Sequence, residues 1–405
     1  MKQKLLLIVP TLHQGGQERV VVRSARLLAD KYDITIAIFD DSDIGYDTEG
    51  LDIVNLNVPS ARFKLFKLIN IIRRTVKLKA LKKKINPDIS YSQGGTAGII
   101  NCLTSSYGGA IWVGIRSFYD VNYVHINKIY KRYADLIVCC AKDIEYEMQA
   151  RYNVTKTATL YNPYDCDRLL EDSKKGEPDL PLPTTDAAGK KIRYIMALGR
   201  NDDLKCYWHM IKTFKLIQLV IPEARLVIIG GGDFDPYKRM IKGLGLEDDV
   251  IFTGAQSNPF VYLKHGEILW LTSRIEGFPN ALVEGMAVGL VPVAVNCPSG
   301  PAEILIENGS IYSCAEKFDM MDDSSGPKVI YGEYGVLTPS LSYDKDMDFA
   351  HITAEHFNLA EAIVDLMHDD AKMASYSKKA MERARMFGYE EYHDNFDKLV
   401  EKINE

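Results

Sequence analysis

The chain has 405 residues, 46% of them apolar and 26% charged, with a formal net charge of −6. That length exceeds one ordinary core, so two domains are expected, and the acidic balance argues against a general nucleic-acid binder. No stretch approaches the roughly 20 apolar residues that span a bilayer.

Residues 4–10 read as a buried first strand. The basic start Met1-Lys2-Gln3-Lys4 suggests a signal peptide, but the apolar run is too short and His13-Gln14-Gly15-Gly16 follows instead of a cleavage site. A helix is predicted over 18–30, and strands over 33–39, 88–92, 110–115 and 136–140. Strands separated by helices imply a parallel sheet covered on both faces. Within this half, residues 61–86 carry ten Lys and Arg and no acid, interleaved with apolar residues that include Phe63 and Phe66. Such a helix suits an anionic membrane surface; the alternative is a core-packing helix with a solvated basic face.

The alternation breaks at about 168–191, where Glu177-Pro178-Asp179-Leu180-Pro181-Leu182-Pro183 reads as a linker. It resumes with strands at 193–198, 224–229, 250–253, 268–271 and 291–295, and helices at 207–220 and 236–244. The pattern predicts an α/β chain of two doubly wound, Rossmann-like domains facing across a cleft. The expected parts are 1–175, a linker over 176–192, a second domain over 193–375, and a C-terminal helix over 376–405 that crosses back. Ligands in such sheets lie beyond the carboxyl ends of the strands.

The seven cysteines (Cys102, Cys139, Cys140, Cys166, Cys206, Cys297 and Cys314) form no Cys-x-x-Cys pair. They read as reduced, buried fillers in a cytoplasmic protein rather than as a zinc or disulfide framework.

The most informative segment is Ser273-Arg274-Ile275-Glu276-Gly277-Phe278-Pro279-Asn280-Ala281-Leu282-Val283-Glu284. It follows a predicted strand, and Pro279 suits the first helical position. The helix start would present amides at Asn280, Ala281 and Leu282 to a phosphate. Glu276 can accept from sugar hydroxyls and Glu284 from a ribose diol. A second loop, Gly199-Arg200-Asn201-Asp202-Asp203-Leu204-Lys205, places two cations where a departing diphosphate could be neutralised. The glycines Gly15 and Gly16 allow a ligand to approach the backbone. They do not complete a dinucleotide fingerprint, and Gly230-Gly231-Gly232 reads as a tight turn. Asp41-Ser42-Asp43 reads as a loop coincidence rather than a metal site.

Taken in order, these motifs resemble the retaining GT-B glycosyltransferases of family 4, as do Pro298-Ser299-Gly300-Pro301-Ala302-Glu303-Ile304 and Tyr334-Gly335-Val336-Leu337. The resemblance covers nearly the whole chain. It implies a nucleotide-sugar donor, of UDP type by family frequency, bound by Gly15, Gly16, Arg200, Lys205, Glu276, Gly277, Phe278, Asn280, Ala281, Leu282 and Glu284. It implies transfer without a metal or other cofactor, with Arg200 and Lys205 stabilising the leaving group and Glu276 on the transferred sugar. Two positions depart from the family: Cys206 stands where a Gly is usual, and Arg116 where many members have a His. Arg116 or His125 would then serve the sugar. The expected acceptor is a lipid-linked or membrane glycan, at the inner face of the cell membrane. A GT-B epimerase or phosphorylase and an inactive nucleotide-binding scaffold are the alternatives.

Overall fold

The computed structural model describes residues 2–13, 15–61, 63–307 and 329–404. Arg62, Cys314 and the side chains of Lys64 and Leu65 lie outside what it describes. The chain forms two compact units. Unit 1 is Met1–Pro163 with Tyr389–Glu405, and unit 2 is Tyr164–Gly388.

Unit 1 is built on β1 (Gln3–Ile8), β2 (Tyr32–Ile38), β3 (Asp52–Asn55), β4 (Ile89–Gln93), β5 (Ala110–Ile115), β6 (Leu136–Cys139) and β7 (Thr157–Thr159). All pair in parallel, in the order β3-β2-β1-β4-β5-β6-β7. The period-2 alternation of a strand divides β1 between two cores. Leu5 and Leu7 pack with Tyr91, Trp112 and, from the last helix Tyr389–Asn404, Tyr392 and Phe396. Leu6 and Ile8 face Leu78, Leu81, Ala97 and Ile100. These four belong to α2 (Lys64–Ile85) and α3 (Gly95–Cys102). The chain runs outward from β1 to β3 and restarts beside β1 at β4, so the β1/β4 junction is this sheet's switch point.

Unit 2 repeats the plan with β8 (Arg193–Leu198), β9 (Ala224–Ile229), β10 (Val250–Gly254), β11 (Gly266–Leu271), β12 (Val291–Val295), β13 (Ile330–Tyr331) and β14 (Val336–Thr338). The order is β10-β9-β8-β11-β12-β14-β13, with only the β13–β14 pair antiparallel. Its core gathers Trp208, Phe214, Trp270 and Val293. The switch point here is β8/β11.

The division differs from the predicted boundaries. Residues 166–174 are not linker but a helix, Cys166–Lys174, capped by the Asp165 side chain. Asn258 donates its side-chain N–H to the Asp172 carbonyl, and Tyr262 Oη accepts from Leu180 N–H at 2.9 Å. These bonds tie the stretch to unit 2. The single helix expected over 376–405 is two, Asp370–Arg385 in unit 2 and Tyr389–Asn404 in unit 1, interrupted at Phe387-Gly388.

Candidate active site

Arg200 and Lys205 follow β8, and Glu276 follows β11, so the predicted residues of unit 2 sit at its switch point. The loop after β8 is held from beneath. Tyr207 Oη donates to the Gly199 carbonyl at 2.7 Å, and Asn201 N–H donates to Gly231 O at 2.8 Å. A side chain on Gly230 would collide with that same Gly199 carbonyl. The triple glycine is therefore a seat for this loop and more than a tight turn. Asp202 then caps a single 3-10 turn, Asp203–Lys205, accepting from Leu204 N–H at 3.0 Å. That turn presents Lys205.

The loop after β11 is stitched to it. Thr272 Oγ1 donates to Lys205 O at 2.8 Å, and Arg274 N–H to Leu204 O at 2.9 Å. With both backbones fixed, Lys205 Nζ lies 2.7 Å from Glu276 Oε1, both side chains mostly covered. Arg200 does not join them. It is 72% exposed and lies 3.4 Å from Asp202 Oδ2. A third loop closes the far side. Ser299 Oγ donates to Gly277 O at 2.8 Å, and Gly300, at φ +90°, could carry no side chain without striking Pro279.

The helix after this loop spans Asn280–Ala287. Pro279 is not its first helical residue. It is the N-cap, in extended conformation, and its carbonyl accepts from Leu282 N–H at 3.0 Å. The expected run of phosphate-facing amides is thus shortened at Leu282. Tyr164 Oη donates to Asn280 Oδ1 at 2.6 Å. Phe278 packs edge-on against Phe387. Glu284 is buried in the second turn. At the helix exit Gly289 adopts φ +93° while Leu290 N–H returns to Gly285 O, the reversal that glycine permits.

In unit 1, Gly15 is the N-cap of α1 (Gly16–Leu28), and its N–H donates to Tyr46 Oη at 2.7 Å. Arg116, just past β5, donates from Nη2 to Asn162 Oδ1 at 2.7 Å. His125 is exposed on the first turn of the helix Val124–Tyr133. Asp43 contacts His13 at 3.1 Å, and no metal-holding cluster of His, Cys, Asp and Glu occurs among the described residues.

Residues 14–168 match the family described as Glycosyltransferase Family 4, and residues 186–322 match Glycosyl transferases group 1. An uncharacterized glycosyltransferase of Methanocaldococcus jannaschii is 26% identical over 82% of this chain and 83% of its own length. The N-acetylgalactosamine-N,N'-diacetylbacillosaminyl-diphospho-undecaprenol 4-alpha-N-acetylgalactosaminyltransferase of Campylobacter jejuni is 25% identical over 75% of this chain and 83% of its own. The solved structure of Anabaena HepE in complex with UDP shares the fold, with a TM-score of 0.72 and 16% identity over 99% of this chain and 100% of that one. The chain belongs to the family 4 glycosyltransferases of GT-B fold.

In this glycosyltransferase α2 does not turn all of its basic residues to solvent. Arg74 is buried, with Nε donating to Val58 O at 2.9 Å and its guanidinium over the Phe39 ring. Lys82 is buried too, donating to Asn101 O at 3.2 Å, and burial pushes its ammonium down to about 8. These two cations serve the fold, because α2 crosses the sheet and must bury one face. Its other face leaves Phe63, Phe66, Leu68, Ile69, Ile72 and Val76 exposed. No helix among the described residues is long and apolar enough to cross a membrane. Sequence reasoning missed Tyr164, Thr272 and Ser299 around the unit 2 site. The only signal was that Ser299 precedes a glycine within a family-like motif.

Proposed function

We propose that this glycosyltransferase moves a hexose or N-acetylhexosamine from a UDP-sugar to a lipid-linked or membrane-associated glycan, with retention at the anomeric carbon and without a metal. The observation that carries this reading is the Lys205–Glu276 pair, held at 2.7 Å by two stitched loops at a switch point. Lys205 supplies positive charge for the leaving diphosphate, and exposed Arg200 swings in beside it. Glu276 accepts from hydroxyls of the transferred sugar, while Gly277, Phe278 and the amides of Asn280 and Ala281 line the phosphate end. Glu284 takes the ribose. The lipid-linked acceptor is supported by the name of the Campylobacter relative. It is also supported by the exposed apolar residues of α2 beside its lysines, a composition suited to the anionic inner face of the cell membrane.

UDP release from UDP-glucose, UDP-galactose, UDP-N-acetylglucosamine and UDP-N-acetylgalactosamine, with polyprenyl-diphosphate-linked glycans and chelator present, tests the reading. Lys205→Ala should lower kcat by about 100- to 1,000-fold, the cost of removing one donor to a developing anion. Wild-type turnover by Lys205→Ala and Glu276→Ala would refute it. Co-sedimentation with phosphatidylglycerol vesicles should be lost on replacing Phe63 and Phe66 with Ser.

A further inference from the structure

The carboxyl end of β4 holds a polar cluster with no role so far. Gln93 closes the strand with 1% of its surface exposed, yet neither Nε2 nor Oε1 has a hydrogen-bond partner. Two residues earlier on the same face, the buried Tyr91 Oη also lacks one. An unsatisfied buried polar group costs about 1–3 kcal/mol, and native folds tolerate few of them. Three such atoms lie here on one face of β4, beside a switch point.

The surroundings agree. Gln93 pairs with Gly114 of β5, and Ser92 with Ile8 of β1. On β5 the same face carries Trp112, Gly114 and, beyond the strand end, Arg116. A Cβ on Gly114 would lie 3.3 Å from the Tyr91 ring, so glycine there leaves the phenol its space. The Arg116 charge acts on both Tyr91 and Tyr392, against the burial that raises these phenols. Above, Gln17 from the first turn of α1 lies against Gly94, its Nε2 3.0 Å from where a Cβ would stand.

We propose that Gln93 and Tyr91 bind a sugar ring through a vicinal pair of hydroxyls, the ring belonging to the acceptor glycan. A carboxamide offers a donor and an acceptor side by side, and a vicinal diol answers both. A phosphate diester has no proton for Oε1, an ammonium no lone pair for Nε2, and a lipid tail satisfies neither. Tyr91 Oη adds a third contact. Only the assignment of the ring to the acceptor rests on the glycosyl-transfer reading.

The test uses the full chain and Gln93→Met, which keeps length and removes both polar ends. Methyl α-glucopyranoside and methyl α-galactopyranoside are the probes, followed by saturation-transfer NMR. The wild type should bind at least one, and Gln93→Met should bind it at least tenfold more weakly while melting at a higher temperature. The thioether leaves no unsatisfied carboxamide buried at this position. A wild type that binds neither hexoside, a variant that binds as the wild type does, or a variant that melts lower because Gln93 is structural overturns the proposal. Hexoside binding that depends on Gln93 in a protein that turns over no UDP-sugar upholds the ring site and removes the transferase reading.

Discussion

Cys206 sits at φ +52° and ψ +42°, immediately after Lys205 and at the start of the helix Tyr207–Val220. A residue with a Cβ pays roughly 1–2 kcal/mol there, which explains why the family resemblance has glycine at this position. The thiol is fully buried, pushed up to about 12 by that burial, and lies 3.5 Å from the Asp203 carbonyl. It is therefore a packed side chain in a strained place and not a nucleophile. Cys206→Gly should stay within about 1 kcal/mol of wild type, because relief of the left-handed conformation offsets the lost burial. Cys206→Val should cost more than about 2 kcal/mol, since β-branching is worst there. Denaturant unfolding measures both, and a Val variant as stable as wild type would show that the turn relaxes. The same position shows what sequence can convey at this scale. Lys205 and Glu276 were legible because charged residues just past strand ends have few structural uses. The strain at Cys206, the orphan amide of Gln93 and the Tyr164–Asn280 bond are facts about partners that the chain brings together from far apart.

A segment between two regular elements behaves as one element of its own. Residues 339–353 run from β14 to the helix Ala354–Met367 as a strap over Tyr207–Val220. Thr353 N–H donates to His356 Nδ1 at 2.9 Å, which leaves the His356 Nε2 proton for His209 Nδ1 at 2.9 Å, and His209 Nε2 for the Ser342 carbonyl at 2.9 Å. Each histidine is neutral in this chain, and a further proton on either has no acceptor. Burial holds His356 down at about 4 and lowers His209, with the Lys212 ammonium adding to the effect and Glu355 and Asp346 opposing it. The unfolded chain takes up these protons near pH 6.5. Stability is therefore complete above that pH and falls between about 6.5 and 4, by about 2–3 kcal/mol for His356. Asp346, held low by Lys212 at 2.9 Å and by His351, loses its contribution only below that window. Urea unfolding of unit 2 at pH 7.5, 6 and 5 should show this slope, and His356→Gln should flatten it. An unchanged slope would mean that the chain of bonds does not form. Elements as a class were the most legible level. The predicted strands at 110–115, 193–198, 224–229 and 291–295 coincide with β5, β8, β9 and β12. What escaped were β3, β7, β13 and β14, of two to four residues each. Segments so short show no period, and their neighbours in the sheet define them.

Each unit has its own core, with Trp112 in that of unit 1 and Trp208 and Trp270 in that of unit 2. The three tryptophans are all the chain contains, so fluorescence can follow the two cores separately. Trp112→Phe leaves only unit 2 visible, and Trp208→Phe with Trp270→Phe leaves only unit 1. Binding to the folded form alone adds about 2.7 kcal/mol at a hundredfold excess over Kd. For a unit the size of Tyr164–Gly388, each kcal/mol moves the midpoint roughly 2–4 °C. Lys205, Glu276 and the Asn280 helix start all lie in unit 2, so saturating UDP should raise the Trp208 and Trp270 transition by roughly 5–10 °C. The Trp112 transition should follow only as far as the two cores melt together. Methyl hexosides should act in the opposite sense, favouring unit 1, where Gln93 and Tyr91 lie. A UDP-induced shift seen by Trp112 and not by Trp208 and Trp270 would move the donor out of unit 2 and leave the Lys205–Glu276 pair without its nucleotide.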